Sequence, residues 1–155
     1  MANWLDRLSP NMLRLVMNIW PPFRSSGIKV VAISSDYLSS RVILKQRLLN
    51  RNYVGTHFGG SMFSMTDPFF MLMLLKNLGK QYIVWDKAAK IDFIKPGKGT
   101  LTAHFSLTLD EIQQIREVVN REQKYLLEKN ILIKNEMDEV VASVTKVLYV
   151  RLKRS

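Results

Sequence analysis

The residues with most chemical promise stand close together: Asn52, His57, the pair Gly59-Gly60, and Asp67. The two glycines open a long apolar stretch. Glycines at a helix start leave backbone N–H groups unshielded, and the helix dipole adds partial positive charge there. Such a place can receive an oxygen that gains negative charge during a reaction, typically the largest catalytic contribution. Asp67 is the only acidic residue inside that apolar stretch, where a carboxylate without purpose would be costly to bury. The same residues have plain structural uses. Gly59-Gly60 serves equally as a tight strand-to-helix turn, Asp67 before Pro68 as a helix N-cap, and Asn52 as a loop residue. There is no cysteine, which excludes disulfides, thiolate metal sites and cysteine nucleophiles. Two histidines, His57 and His104, argue against a zinc site built on imidazole, and His104 falls on the polar face of its strand.

These residues need elements to position them. Ser9-Pro10 is a good helix start, and Leu13, Val16, Ile19 and Trp20 recur at helical spacing until Pro21-Pro22 ends the segment. Ile28–Ser34 and Arg41–Leu48 read as a hairpin. From Gly60 to Leu78 the chain is apolar nearly all round, so this helix must be buried nearly all round, with a kink at Pro68 or a restart of the helix at Asp67. In Tyr82–Ile94 the apolar residues Ile83, Trp85, Ala89, Ile91 and Phe93 share one face, opposite Asp86, Lys90 and Asp92. Leu101, Ala103, Phe105 and Leu107 alternate strictly with polar residues, as in a half-buried antiparallel strand. Asp110 caps a further amphipathic helix, and Lys124–Lys134 and Val140–Leu152 form a last strand pair. The order implies an α+β protein, a single domain over residues 1–155 with residues 1–23 as an N-terminal helical extension. A chain this short can surround a helix only by wrapping a sheet about it.

The window Asn52-Tyr53-Val54-Gly55-Thr56-His57-Phe58-Gly59-Gly60, followed by Asp67, resembles the active-site segment of hotdog acyl-CoA thioesterases related to 4-hydroxybenzoyl-CoA thioesterase and the phenylacetate-pathway enzymes. Ile91–Gly99, a strand ending in an aromatic and a proline turn, continues the likeness. The whole chain looks closest to a little-characterised bacterial branch of that superfamily. The resemblance implies a hotdog fold, a long central helix wrapped by a curved antiparallel sheet of about six strands. It implies thioester hydrolysis at a site between subunits, where Gly59 supplies an amide, Asp67 acts as base or nucleophile, and Asn52 holds the water. Gly60, His57, Phe58 and Asp86 would line the substrate, although Asp86 also fits a solvent-facing strand position. The sequence departs from the family at Phe58, which takes the family's histidine position, with His57 one residue earlier. At a helix entrance that offset turns a side chain by about 100°.

No cofactor is implied beyond coenzyme A as part of the substrate. The expected partners are an acyl-CoA or acyl-carrier thioester and a second copy of the chain, as a homodimer or a tetramer. Strand Tyr82–Ile94 is the expected interface. The formal net charge of +10 suits either solubility or attraction of an anionic ligand such as coenzyme A. Its basic residues are dispersed apart from mild clustering at Arg151, Lys153 and Arg154, and no nucleic-acid recognition motif accompanies them. The start of the chain, broken by Asp6, Arg7 and Arg14, does not read as a signal peptide. The longest apolar run, Phe69–Leu75, is far short of a membrane span, so a cytoplasmic location is expected. A competing function is a non-catalytic protein that holds an acyl chain or acyl-CoA in the same cleft.

Overall fold

The structure is a computed structural model and describes residues 8–153; the expected extension therefore lies partly outside the described residues, as does Arg154. Six strands form one antiparallel sheet in the order β1 (Ile28–Ile33), β2 (Ser39–Lys45), β4 (Thr100–Ser106), β5 (Lys124–Lys134), β6 (Val140–Leu152), β3 (Tyr82–Phe93). The sheet wraps the central helical segment, which runs as α3 (Gly59–Ser64) and α4 (Phe69–Leu78). This is the hotdog arrangement that the sequence implies.

The central segment breaks where proline requires it. Pro68 lacks the N–H that would continue the ladder, so α3 stops at Ser64 and α4 restarts at Phe69. Asp67 caps neither piece, because the N-cap position of α4 is taken by Pro68 and no side chain accepts the helix's free amides. Phe69, Phe70, Met73, Leu74 and Leu78 are buried against the sheet, while Met71, Leu72 and Leu75 are only half-buried. Phe23 stacks on Phe69, which meets Phe105 at a tilt, with Phe70 edge-on to Phe105, and these rings join the helices to β4. Leu101, Ala103 and Phe105 face this core in the alternation expected of β4.

Three local expectations are corrected. Pro21-Pro22 does not end helical structure: it opens a second short helix, α2 (Pro21–Ser26), because proline fits the first helical positions. In α5 (Leu109–Glu122) the capping residue is Thr108, whose hydroxyl accepts from the Glu111 amide while Glu111 reaches back to the Thr108 amide; Asp110 sits in the first turn. In β3 the register shifts between Asp86 and Ala88, leaving Lys87 as an extra residue. Before this bulge Tyr82, Val84 and Asp86 face inward, paired in the sheet with Leu152, Val150 and Leu148; after it Ala89, Ile91 and Phe93 do. Ile83 and Trp85 therefore point outward, and Trp85 stacks on Tyr149 at 4.7 Å.

At the β1 edge, α1 (Pro10–Ile19) packs on the strand, burying Leu13 and Met17. Asn18 bridges to Val30, accepting from its N–H at 2.7 Å and donating to its carbonyl at 3.0 Å. At the opposite edge β3 pairs, among the described residues, only with β6.

Candidate functional site

The loop before α3 is tied down residue by residue. The Asn52 carboxamide oxygen accepts from the amides of Val54 and Thr56, and its nitrogen donates to the Thr56 hydroxyl at 2.7 Å and the His57 carbonyl at 3.3 Å. Its hydrogen-bonding capacity is thus spent on its own loop. His57 is buried: its Nε2 lies 2.9 Å from the Gly99 carbonyl, an arrangement in which Nε2 donates and Nδ1 carries no proton. Nδ1 is buried and has no protein partner. Burial pushes the imidazole below its ordinary pKa, against the opposing pull of the Gly99 carbonyl. His57 thereby links the loop to the turn Lys95–Gly99, whose Gly97 carbonyl accepts the His57 amide.

Asn52, Thr56, His57 and Gly59 line an open cavity of ≈460 Å3 whose far wall is Phe93 to Gly97. At Gly59 the requirement for glycine is space, since an added Cβ would lie 2.8 Å from the Phe93 ring. A Cβ at Gly60 would collide with the Phe58 ring, which is itself largely exposed. As first residues of α3, Gly59 and Gly60 have amides with no acceptor inside the helix. Three candidates, Asn52, His57 and Gly59, are therefore gathered at one cavity; Phe58 and Gly60 adjoin it in the chain but are not among its lining.

Asp67 is elsewhere. It does not line that cavity, and its side chain is 55% exposed rather than buried. Its Oδ1 accepts from the ammonium of Lys146 at 2.8 Å, and the same ammonium donates to Asp86 Oδ2 at 2.9 Å. Asp86 is not a solvent-facing residue: it points inward before the β3 bulge, with a side chain 21% exposed. Burial pushes its carboxyl above the ordinary range; Lys146 pulls it down and Asp67 pushes it up. The structure thus joins two of the candidates, Asp67 and Asp86, through a lysine that sequence reasoning passed over. A lysine inside an alternating strand reads as solvated. The available signal was its position: Val144, Lys146, Leu148 and Val150 share one face, and the other three are buried. Among the described residues no group of acidic, histidine or cysteine side chains could hold a metal ion.

A second cavity, ≈730 Å3 and mainly apolar, lies between α1 and α4 against Leu13, Met17, Trp20, Met71, Leu72 and Leu75, with Lys80 and Lys153 also among its lining. No helix among the described residues is long and apolar enough to cross a membrane.

The fold is shared with solved structures of low sequence identity. A Pseudomonas aeruginosa protein described as a probable thioesterase superposes with a TM-score of 0.81 at 18% identity, covering 92% of this chain and 95% of that one. A Haemophilus influenzae thioesterase gives 0.67 at 14% identity over 96% and 94% of the two chains. The Escherichia coli PaaI protein from the phenylacetic acid degradation operon gives 0.60 at 17% identity over 92% of each. No curated protein matches the chain in sequence. The family model of the domain of unknown function DUF4442 matches residues 10–150, nearly the whole described chain, and the chain therefore belongs to the DUF4442 family.

Proposed function

We propose that this protein is a thioesterase that hydrolyses acyl-CoA or related acyl thioesters at a site shared by two copies of the chain. The observation that carries the reading is the separation of the two half-sites along β3. Phe93, at one end of the strand, walls the Gly59 cavity; Asp86, toward the other, joins Lys146 and Asp67. An antiparallel two-fold pairing of two β3 edges, centred near Lys90, sets Asp86 of one strand opposite the partner's Phe93, each three rungs from the centre once the extra Lys87 is set aside. Each Asp67 cluster then meets the Gly59 cavity of the other copy. Two-fold dimers are the commonest oligomers, and pairing two bare edges removes an aggregation hazard.

In such a site the Gly59 amide receives the thioester carbonyl oxygen as it gains charge. Asp67 either takes a proton from the water that attacks the carbonyl carbon, or attacks that carbon itself to form an anhydride that water then opens; in both cases the C–S bond breaks and the sulfur leaves as the thiol. Asn52 orders the loop beneath the cavity; contact with water requires it to release Thr56. Phe58 in the place of the family's histidine lowers the rate without abolishing it, because the backbone amide does not depend on that side chain. The thioesterase descriptions of the structural neighbours support the reaction class. Acyl-CoA is an intracellular metabolite, so this reading puts the protein in the cytoplasm.

The apolar cavity between α1 and α4 favours a second reading, a non-catalytic protein that holds an acyl chain. A panel of acyl-CoA thioesters offered to wild type and Asp67→Asn separates the two. Turnover by wild type, with binding but only a small residual turnover by the variant, supports hydrolysis. Binding by both with turnover by neither overturns it in favour of the second reading.

A further inference from the structure

We propose that Lys146 is a positioning residue, an ammonium anchored on Asp86 that holds the Asp67 carboxylate in the orientation the reaction needs. The proposal rests on the thioesterase reading and assigns the residue that makes Asp67 usable.

Lys146 lies in the middle of β6, opposite Ala89 on β3 and Lys129 on β5. It is 3% exposed, a state that lysine adopts almost only when paired. The groups facing it come from three elements: Asp67 from the link between α3 and α4, Asp86 from β3, and Lys129 from β5. Lys129 does not compete for Asp67, because its own ammonium is bound by Glu111 of α5 at 2.6 Å and lies over the Phe70 ring at 5.4 Å. The beginning of α4, Phe69 to Leu75, brings no charge.

A pair of Lys146 and Asp86 would already neutralise the buried lysine. Asp67 is the third member, and with more than half its side chain in water it needs no partner for its own solvation. An exposed ion pair between two mobile side chains gains little, because both must be immobilised. Here the cation is already fixed by burial and by Asp86, so only one short side chain remains to be ordered. The result is a carboxylate held through Oδ1, beside Asp86, with more than half of its side chain still reachable by water or substrate. The other Asp86 oxygen, Oδ1, is buried without a protein partner, a desolvation cost that a purely stabilising ion pair would avoid.

The test compares wild type, Lys146→Met, Asp67→Asn, their double variant and Asp86→Asn. Steady-state kinetics uses a thioester that wild type hydrolyses; the Asp86 carboxyl is followed by 13C NMR in the ligand-free protein. Lys146→Met is expected to lose roughly 10- to 100-fold in kcat at unchanged KM, the scale on which misplacing a reacting group acts. The double variant is expected to be no slower than Asp67→Asn, since Lys146 acts through Asp67. Asp86→Asn, nearly isosteric, keeps the protein folded should Lys146→Met unfold it, and is expected to lower kcat at unchanged KM. The midpoint of Asp86 is expected to fall in Asp67→Asn and to rise in Lys146→Met. Wild-type kcat in both Lys146→Met and Asp86→Asn would overturn the proposal. So would additive losses in the double variant, or an Asp86 midpoint indifferent to Asp67→Asn. If wild type hydrolyses no thioester, the thioesterase reading fails and takes the catalytic role of Lys146 with it; the NMR titration then reports separately whether the three groups interact.

Discussion

The two edges of the sheet are finished in different ways. At β1 the free backbone groups of Val30 are both taken by the Asn18 carboxamide, and α1 lies over the strand. At β3 no described element covers the edge, and Trp85, Phe93 and Ile94 stand 45%, 56% and 54% exposed. A side chain that mimics a missing strand closes an edge within the chain, whereas an uncovered edge with apolar neighbours is a surface for another chain. Gly59 abuts Phe93 of β3, and Asp67 joins Asp86 of β3 through Lys146, so under the proposed function the unfinished edge carries the chemistry.

The largest effect should come from spoiling β3. Along an edge strand alternate residues turn their N–H outward, so of the neighbours Lys90 and Ile91 one faces β6 and the other the open side. Proline at the outward position should convert the dimer into folded monomers that hydrolyse nothing. Proline at the other should destabilise the protein itself. Sedimentation velocity and thermal unfolding of the two variants read this directly, and a wild type that sediments as a monomer would remove the basis for the comparison.

At the closed edge, Asn18→Ala removes two hydrogen bonds to Val30 and should cost about 2 kcal/mol at about 1 kcal/mol each. Denaturant unfolding measures it, and the dimer should persist. A smaller effect is expected at His57. Its pKa is depressed in the folded protein by burial, so its contribution to stability is complete above the ordinary histidine value and is lost as pH falls below it. The unfolding midpoint of wild type should drop between about pH 6.5 and 5 more than that of His57→Gln. Least affected should be the fold of the single chain in Phe93→Ala, within about 0.5 kcal/mol of wild type because the ring is exposed there before any pairing of β3 edges. The substitution should nevertheless restore part of the activity lost in Gly59→Ala by making room for the added Cβ, as kcat of the single and double variants would show.

The same contrast explains what could be read from the residues. β4 was legible because unbroken alternation carries the register along its length, and the break in the central helix because proline has no N–H to give. The closure of β1 was hidden, since Asn18 merely falls off the apolar face of its helix and nothing local shows that Val30 awaits it. In β3 the pattern misleads across Lys87: Ala89, Ile91 and Phe93 do face inward, but Ile83 and Trp85 do not. Asn52, His57, Gly59 and Asp67 were visible as residue types, yet their division into two half-sites depends on contacts far apart in the chain. Lys146 was missed because its two partners come from residues 67 and 86, and no short window contains all three.

The bulge at Lys87 also has a consequence for comparing relatives. Removing Lys87 would leave Tyr82, Val84 and Asp86 on the same face as Ala89, Ile91 and Phe93, now in plain alternation. A single-codon insertion or deletion can therefore add or erase the bend without turning a side chain over. A gapless alignment of this chain with a straight-stranded homologue would match residues correctly on one side of position 87 and slip by one on the other. Placing the gap at Lys87 is what keeps Asp86 and Phe93, the two ends of the strand, in correspondence at once.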